Sequence, residues 1–258
     1  LHLSNLALVY ADSGLLDAAG AASEAALARA EVVGTPFNRA YAAHLAAQFH
    51  ATVRDVASAS RFADEAIRLS AEYAFPVQHA GASMARGWGC VRSGDLAGGL
   101  AELRGGMAAY AATGQCAGKA FFYMLLIESL LAAGEDAEAR AAIDEAFAHT
   151  ARTGEHFYDP ELFRLQAECR VRTGTATDRA IALEEIRRAA ALARERGAKL
   201  FELRAAISAV RLQRSTAATS TARRYLDAVL SGFSDGCAAI DLVEARALLA
   251  SSASDSTS

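Results

Sequence analysis

The chain has 258 residues, with 26 Lys and Arg against 30 Asp and Glu, a formal charge of −4. That balance excludes the concentrated basic face a nucleic-acid binder needs to displace counterions. Hydrophobic residues make up 53%, alanine foremost, and there are only 3 prolines. Such a composition favours helix, because Ala loses no side-chain entropy there, and argues against sandwiches and barrels, which need β-branched runs and turn residues.

In chain order, helices are expected over 3–13, 17–33, 37–53, 56–73, 77–93, 96–112, 117–133, 136–152, 160–173, 179–196, 199–214 and 220–231, with a last one opening at Asp241. Gly14 and Gly34 break the first two, and Gly94, Gly134 and Gly174 stand where a left-handed residue ends a helix. Thr35-Pro36 and Asp159-Pro160 each read as an N-cap followed by proline at the first helical position. Asp241 and Glu244 read as a capping box. The polar stretch 251–258 is expected to be disordered. The most apolar stretch, Ala120–Ala133, contains Glu128 and falls short of the roughly 20 apolar residues a membrane span requires. No basic-then-apolar leader opens the chain, which starts at Leu1 inside a helical pattern without an initiator Met. These features suggest a cytoplasmic piece of a longer protein. Cys90, Cys116, Cys169 and Cys237 are widely spaced, as reduced, packed thiols would be.

The helices pair into a repeat. Ala26, Ala66, Gly106 and Ala146 are each 40 residues apart, as are Ala19, Ala59, Gly99 and Ala139. Pro36 and Pro76 share the spacing, as do Asp55, Asp95 and Glu135, and Gly114 and Gly154. The register slips by three after Gly174, at Thr175–Asp178, then resumes. Small residues at a helix crossing let backbones approach, and a hairpin that cannot bury its apolar face alone must stack on neighbours. The expected fold is all-α: a right-handed solenoid of antiparallel helix pairs, about 40 residues per repeat, with six pairs and a terminal capping helix across 1–250.

Leu6, Ala7, Tyr10, Gly14, Ala19 and Ala26 resemble the signature of tetratricopeptide repeats. A narrower resemblance rests on Arg86-Gly87-Trp88 with Gly94, on Gly99–Arg104, on Ala112-Thr113-Gly114, and on Thr153-Gly154-Glu155. Glu161–Leu165, Arg196–Lys199 running into Glu202–Ala206, Phe233 with Asp235 and Gly236, and Asp241–Leu249 extend it over nearly the whole chain. Together these are similar to the C-terminal helical-repeat region of bacterial multidomain signalling proteins, in which an adenylate cyclase or DNA-binding domain precedes a predicted signalling ATPase and then such repeats. The resemblance implies a non-catalytic regulatory module whose partners include those upstream domains. The catalytic domains lie outside this sequence, so their activities do not carry over.

Motifs that would carry chemistry are weak. Gly114-Gln115-Cys116-Ala117-Gly118-Lys119-Ala120 imitates a phosphate loop, but it is one residue short and has Ala120 where Ser or Thr would hold magnesium. The six histidines, at 2, 44, 50, 79, 149 and 156, show no metal-ligand spacing. No cofactor or metal is expected. His156, Tyr158 and Asp159 gather polar groups in a loop, as capping would.

In tetratricopeptide stacks the first helix of each pair lines the concave face. By that register the face carries Tyr41, His44 and Gln48, then Met84, Trp88 and Arg92, then Phe121, Met124 and Glu128, then Arg164 and Glu168. Aromatic, Met and Arg side chains are the usual anchors of interfaces. A tight superhelix would instead bury its own lining: Trp88 then fills the space above Gly87, and Arg164–Glu168 is an ordinary exposed ion pair. The expected function is a sensor or scaffold that takes a protein, peptide or small effector in this groove. The alternatives are an intramolecular clamp against the chain's own upstream domains and, from another class, a helical enzyme. Leu1, Leu3, Leu6 and Leu8 open the chain without a helix to cover them, so a covering molecule or a frayed end is expected there.

Overall fold

The structure, a computed structural model, describes residues 2–213, 216–234 and 239–251. Leu1, Asp235, Gly236, Cys237 and the tail beyond Ser251 therefore lie outside the described residues. The described residues are all-helical: α1 (His2–Asp12), α2 (Leu16–Val33), α3 (Pro36–Thr52), α4 (Val56–Tyr73), α5 (Pro76–Arg92), α6 (Leu96–Ala112), α7 (Lys119–Ala133), α8 (Asp136–Thr153), α9 (Asp159–Thr173), α10 (Ala176–Glu195), α11 (Lys199–Leu212), α12 (Thr216–Leu230) and α13 (Ile240–Ala250), with a 3-10 turn at His156–Tyr158. The expected helices are all present, with ends shifted by a few residues.

The chain divides into two compact units, Leu1–Ala11 with Leu15–Glu155, and Asp12–Gly14 with His156–Ser258. In the first unit neighbouring helices pack in sequence from α2 to α8, with α3 also on α5 and α5 on α7. In the second unit α9 to α13 do the same, with α9 on α11 and α11 on α13. This is the packing of a helical solenoid.

Small residues set the spacing. Ala43, Ala47, Ala63, Ala66, Ala82 and Ala85 form one buried cluster across α3, α4 and α5. The α5–α6 seam is tighter still. A Cβ on Gly99 would stand 2.5 Å from the Gly87 carbonyl oxygen, and one on Gly87 would stand 2.8 Å from that of Gly99. Only two glycines facing each other permit that approach. Ala19, Ala59, Gly99 and Ala139 are all buried, as are Ala26, Ala66, Gly106 and Ala146.

The caps are mixed. Thr35 Oγ1 accepts the Asn38 amide, and Asp55 and Asp95 accept those of Ser58 and Gly98. Gly94 and Gly134 are left-handed, at φ 102° and 80°. Three expectations are corrected. Gly174 is extended, at φ −105° and ψ 162°; glycine is needed there because a Cβ would stand 2.4 Å from that of Asp178. Asp159 is already inside α9, with Tyr158 at the N-cap position and no side-chain cap bond, and the Asp159 carboxylate takes His156 Nδ1 at 3.0 Å instead. Asp241 does not cap α13, because Arg204 draws its carboxylate inward. A capping box does form at Thr175 and Asp178, where the sequence register slips.

Candidate functional site

The residues assigned to the concave face fall on α3, α5, α7 and α9, but the structure uses them differently. In the first unit Met84, Trp88, Phe121 and Met124 are fully buried. Met84 packs towards α6, where a Cβ on Gly106 would stand 2.5 Å from its Cγ. Trp88 keeps one polar partner: its indole Nε1 donates to Glu128 Oε2 at 3.2 Å. The other Glu128 oxygen accepts from Arg54 Nη2 at 3.0 Å. Glu128 therefore joins α7 to α5 and to the α3–α4 turn.

Arg54 was not legible as a partner, yet the sequence carries a signal. Positions 14, 54, 94 and 134 lie 40 apart and all have positive φ; three are glycine and one is Arg54, at φ 62°. A long side chain held in a left-handed turn is uncommon and strained. The Glu128 ion pair, at side-chain exposures of 12% and 16%, is what holds it there.

His44 and Gln48 form a second buried pair. Gln48 Nε2 lies 2.8 Å from His44 Nε2. The amide nitrogen can only donate, so His44 Nε2 accepts and the ring proton sits on Nδ1, a buried atom without a hydrogen-bond partner. Gly81 presses on the same ring: a Cβ there would stand 2.2 Å from His44 Cε1. Burial pushes the imidazole down to about 4, so it is neutral at neutral pH.

Tyr41 is half-buried and accepts from Asn5 Nδ2 at 3.2 Å. It belongs to an aromatic run, with Phe37 at 6.0 Å from it, Phe75 at 5.3 Å from Phe37, and Tyr73 beside Phe75. Arg92 is exposed and makes no hydrogen bond or ion pair among the described residues. The structure thus brings Trp88 to Glu128 and His44 to Gln48, but joins Arg92 to none of them.

In the second unit, Arg164 and Glu168 do not form the exposed pair that their spacing suggested. The Arg164 side chain is only 5% exposed. It donates to Glu161 at 2.9 and 2.6 Å and to Glu168 at 2.5 Å. Arg204 donates to Asp241 at 3.0 and 2.9 Å and reaches Glu161 at 3.5 Å. Ser208 donates to Glu168 at 2.8 Å. One network therefore ties α9, α11 and α13 together, and removing one partner of such a pair costs about 3–5 kcal/mol. Burial pushes the Asp12 carboxyl, which groups with this unit, up to about 8; Arg204 opposes the shift and Glu161 adds to it.

The loop that imitates a phosphate cradle is filled from within. The Glu155 carboxylate accepts the Gly118 amide at 2.7 Å and the Ala120 amide at 3.4 Å, and it lies 3.0 Å from His149 Nε2. A side-chain anion stands where a phosphate would stand at a helix N-terminus.

Among the described residues no helix is long and apolar enough to cross a membrane, and no cluster of His, Cys, Asp or Glu has the arrangement of a metal site. Comparison with protein-family models and with curated proteins returns no match for this chain.

Proposed function

We propose that the chain is a non-catalytic interaction module: a right-handed, tetratricopeptide-like stack of about 40 residues per repeat that binds a protein or peptide. One observation carries the reading. Most of the bulky and ionic residues assigned to the concave face are spent on holding helices together, among them Trp88, Glu128, Arg164 and Glu168, while large apolar side chains are left in solvent elsewhere in the first unit. Leu3, Leu6 and Val9 on α1, Val32 and Val33 at the end of α2, Phe37 on α3 and Tyr73 on α4 are all exposed. Apolar groups left uncovered in this density mark surfaces that meet another molecule.

The cytoplasmic regulatory role, with cyclase, ATPase or DNA-binding domains upstream in the same polypeptide, rests on the resemblance described above. Within that role, the exposed stripe of Leu3, Leu6 and Val9 favours a second reading, the clamp, in which the upstream domain covers α1. Two measurements separate these readings. The isolated chain is screened against an array of short peptides; selective binding supports the module, and no binding above background refutes it. Hydrogen exchange is then compared between the isolated chain and the full-length gene product. Protection of Leu3–Val9 only in the full-length protein assigns that face to the clamp, and equal exchange in both refutes the clamp.

A further inference from the structure

The first unit has a concavity of about 240 Å³ where α1, α2 and α3 meet, lined by Leu3, Ala26, Arg29, Ala30, Val33 and Asn38 among others. Its floor is aliphatic. Leu3 and Val33 stand 38% and 46% exposed at its edges. Arg29 is the one charged residue in the lining. Neighbouring Arg39 is held by Glu31 at 2.9 Å and by Glu65 at 3.6 Å, whereas Arg29 has no hydrogen bond or ion pair among the described residues. The Asn38 side-chain amide is likewise without a partner among them, although its backbone amide is tied to Thr35. The chain as a whole carries −4, yet this notch contributes a cation and no carboxylate.

We propose that this notch is the peptide-binding site of the module and that its occupant is an amphipathic segment of a partner protein, with its apolar side chains in the notch and an acidic residue paired with Arg29. The proposal rests on the interaction-module reading and makes it specific. Charge complementarity selects the partner. An apolar segment without an acid would leave a guanidinium at the rim of a newly dried surface, which costs binding, and a basic segment would add repulsion. The Asn38 amide, with both a donor and an acceptor, suits the backbone or a side-chain amide of the incoming segment. A helical segment presents apolar groups at i, i+3 and i+4 spacing to such a groove.

The test uses short amidated peptides with leucines at helical spacing and Glu, Gln or Lys beside them, measured by fluorescence anisotropy against the whole chain. The Glu peptides should bind about fivefold more tightly than the Gln peptides, as one partly exposed ion pair supplies, and the Lys peptides more weakly than either. Arg29→Glu should invert the order of Glu and Lys. Ala30→Trp, which fills the notch, should abolish binding of all three; circular dichroism reports whether either variant keeps its fold, and the fluorescence of the native Trp88 reports it a second time for Arg29→Glu. Binding with no preference among Glu, Gln and Lys overturns the notch, as does binding that survives Ala30→Trp in a folded protein. Arg29-dependent binding to phosphatidylserine vesicles with none to the peptides overturns it in favour of a membrane surface. If no peptide binds, here or on the array, the module reading fails and the notch falls with it.

Discussion

The buried His44–Gln48 pair makes the first unit acid-sensitive in a way that can be assigned to one ring. His44 is lowered from 6.5 to about 4 by burial. A proton on Nε2 would also face the Gln48 amide donor, 2.8 Å away. The folded state therefore binds fewer protons than the unfolded chain between those values, so stability is present above the unfolded pKa and is lost as pH falls toward the folded one. Integrating the two titrations from pH 7 to pH 5 gives a loss of about 2 kcal/mol from this residue alone. With a urea dependence of about 2 kcal/mol per molar, that is a fall of about 1 M in the unfolding midpoint. The assay is urea unfolding followed by the fluorescence of Trp88, the one tryptophan, which is buried in the same unit. His50 and the carboxylates titrate too, so the quantity of interest is the difference between the natural chain and His44→Gln. The substitution should lower stability at both pH values but remove about 2 kcal/mol of its pH dependence. If both proteins lose the same stability between the two pH values, the burial argument for His44 is wrong.

Gly99→Ala should destabilise the first unit by about 1–3 kcal/mol, because the new Cβ would meet the Gly87 carbonyl oxygen at 2.5 Å and Val91 Cγ2 at 2.6 Å; an unchanged thermal melt would refute the tight seam. Ala74→Gly should raise the melting temperature, since Ala74 ends α4 at φ 57° and the left-handed conformation costs a non-glycine residue about 1 kcal/mol. Asp12→Asn tests the opposite pH dependence. The natural carboxyl is raised to about 8, so its stabilisation is full below its unfolded pKa and is lost as pH rises through the folded one. The variant should gain on the natural protein by at least about 1 kcal/mol between pH 6 and pH 8, read by urea unfolding monitored with circular dichroism.

The helices were legible because their signals are local: apolar spacing at 3.6 residues, glycine after the last turn, and Thr or Asp before the first. What pairs with what was not. Arg204 meets Asp241 across 37 residues and Glu161 across 43, and neither spacing marks them in the chain. Asp241 shows the conflict plainly: its local context is that of a cap, but a buried guanidinium competes for the same carboxylate and wins. The candidate face was legible only as a set of residues on the odd-numbered helices. Whether Trp88 and Met124 look outward or inward depends on how closely those helices pack, and alanine-lined neighbours bring them close. Arg54 was missed because an arginine in a turn reads as an ordinary surface residue until it is compared with the glycines at 14, 94 and 134.

The glycine seam between α5 and α6 also bears on the order in which the chain folds. Its two helices are consecutive and are joined by a short turn at Gly94, so bringing them together requires closing only a small loop. The contact is close because its alignment is set by two facing glycines, with little tolerance for a shifted register. A hairpin that is both nearby in sequence and selective in alignment is where the transition state for folding should be most native-like. In an alanine-rich chain, where many helix faces look alike to one another, such a hairpin also supplies the template that tells α4 and α7 which neighbour to join.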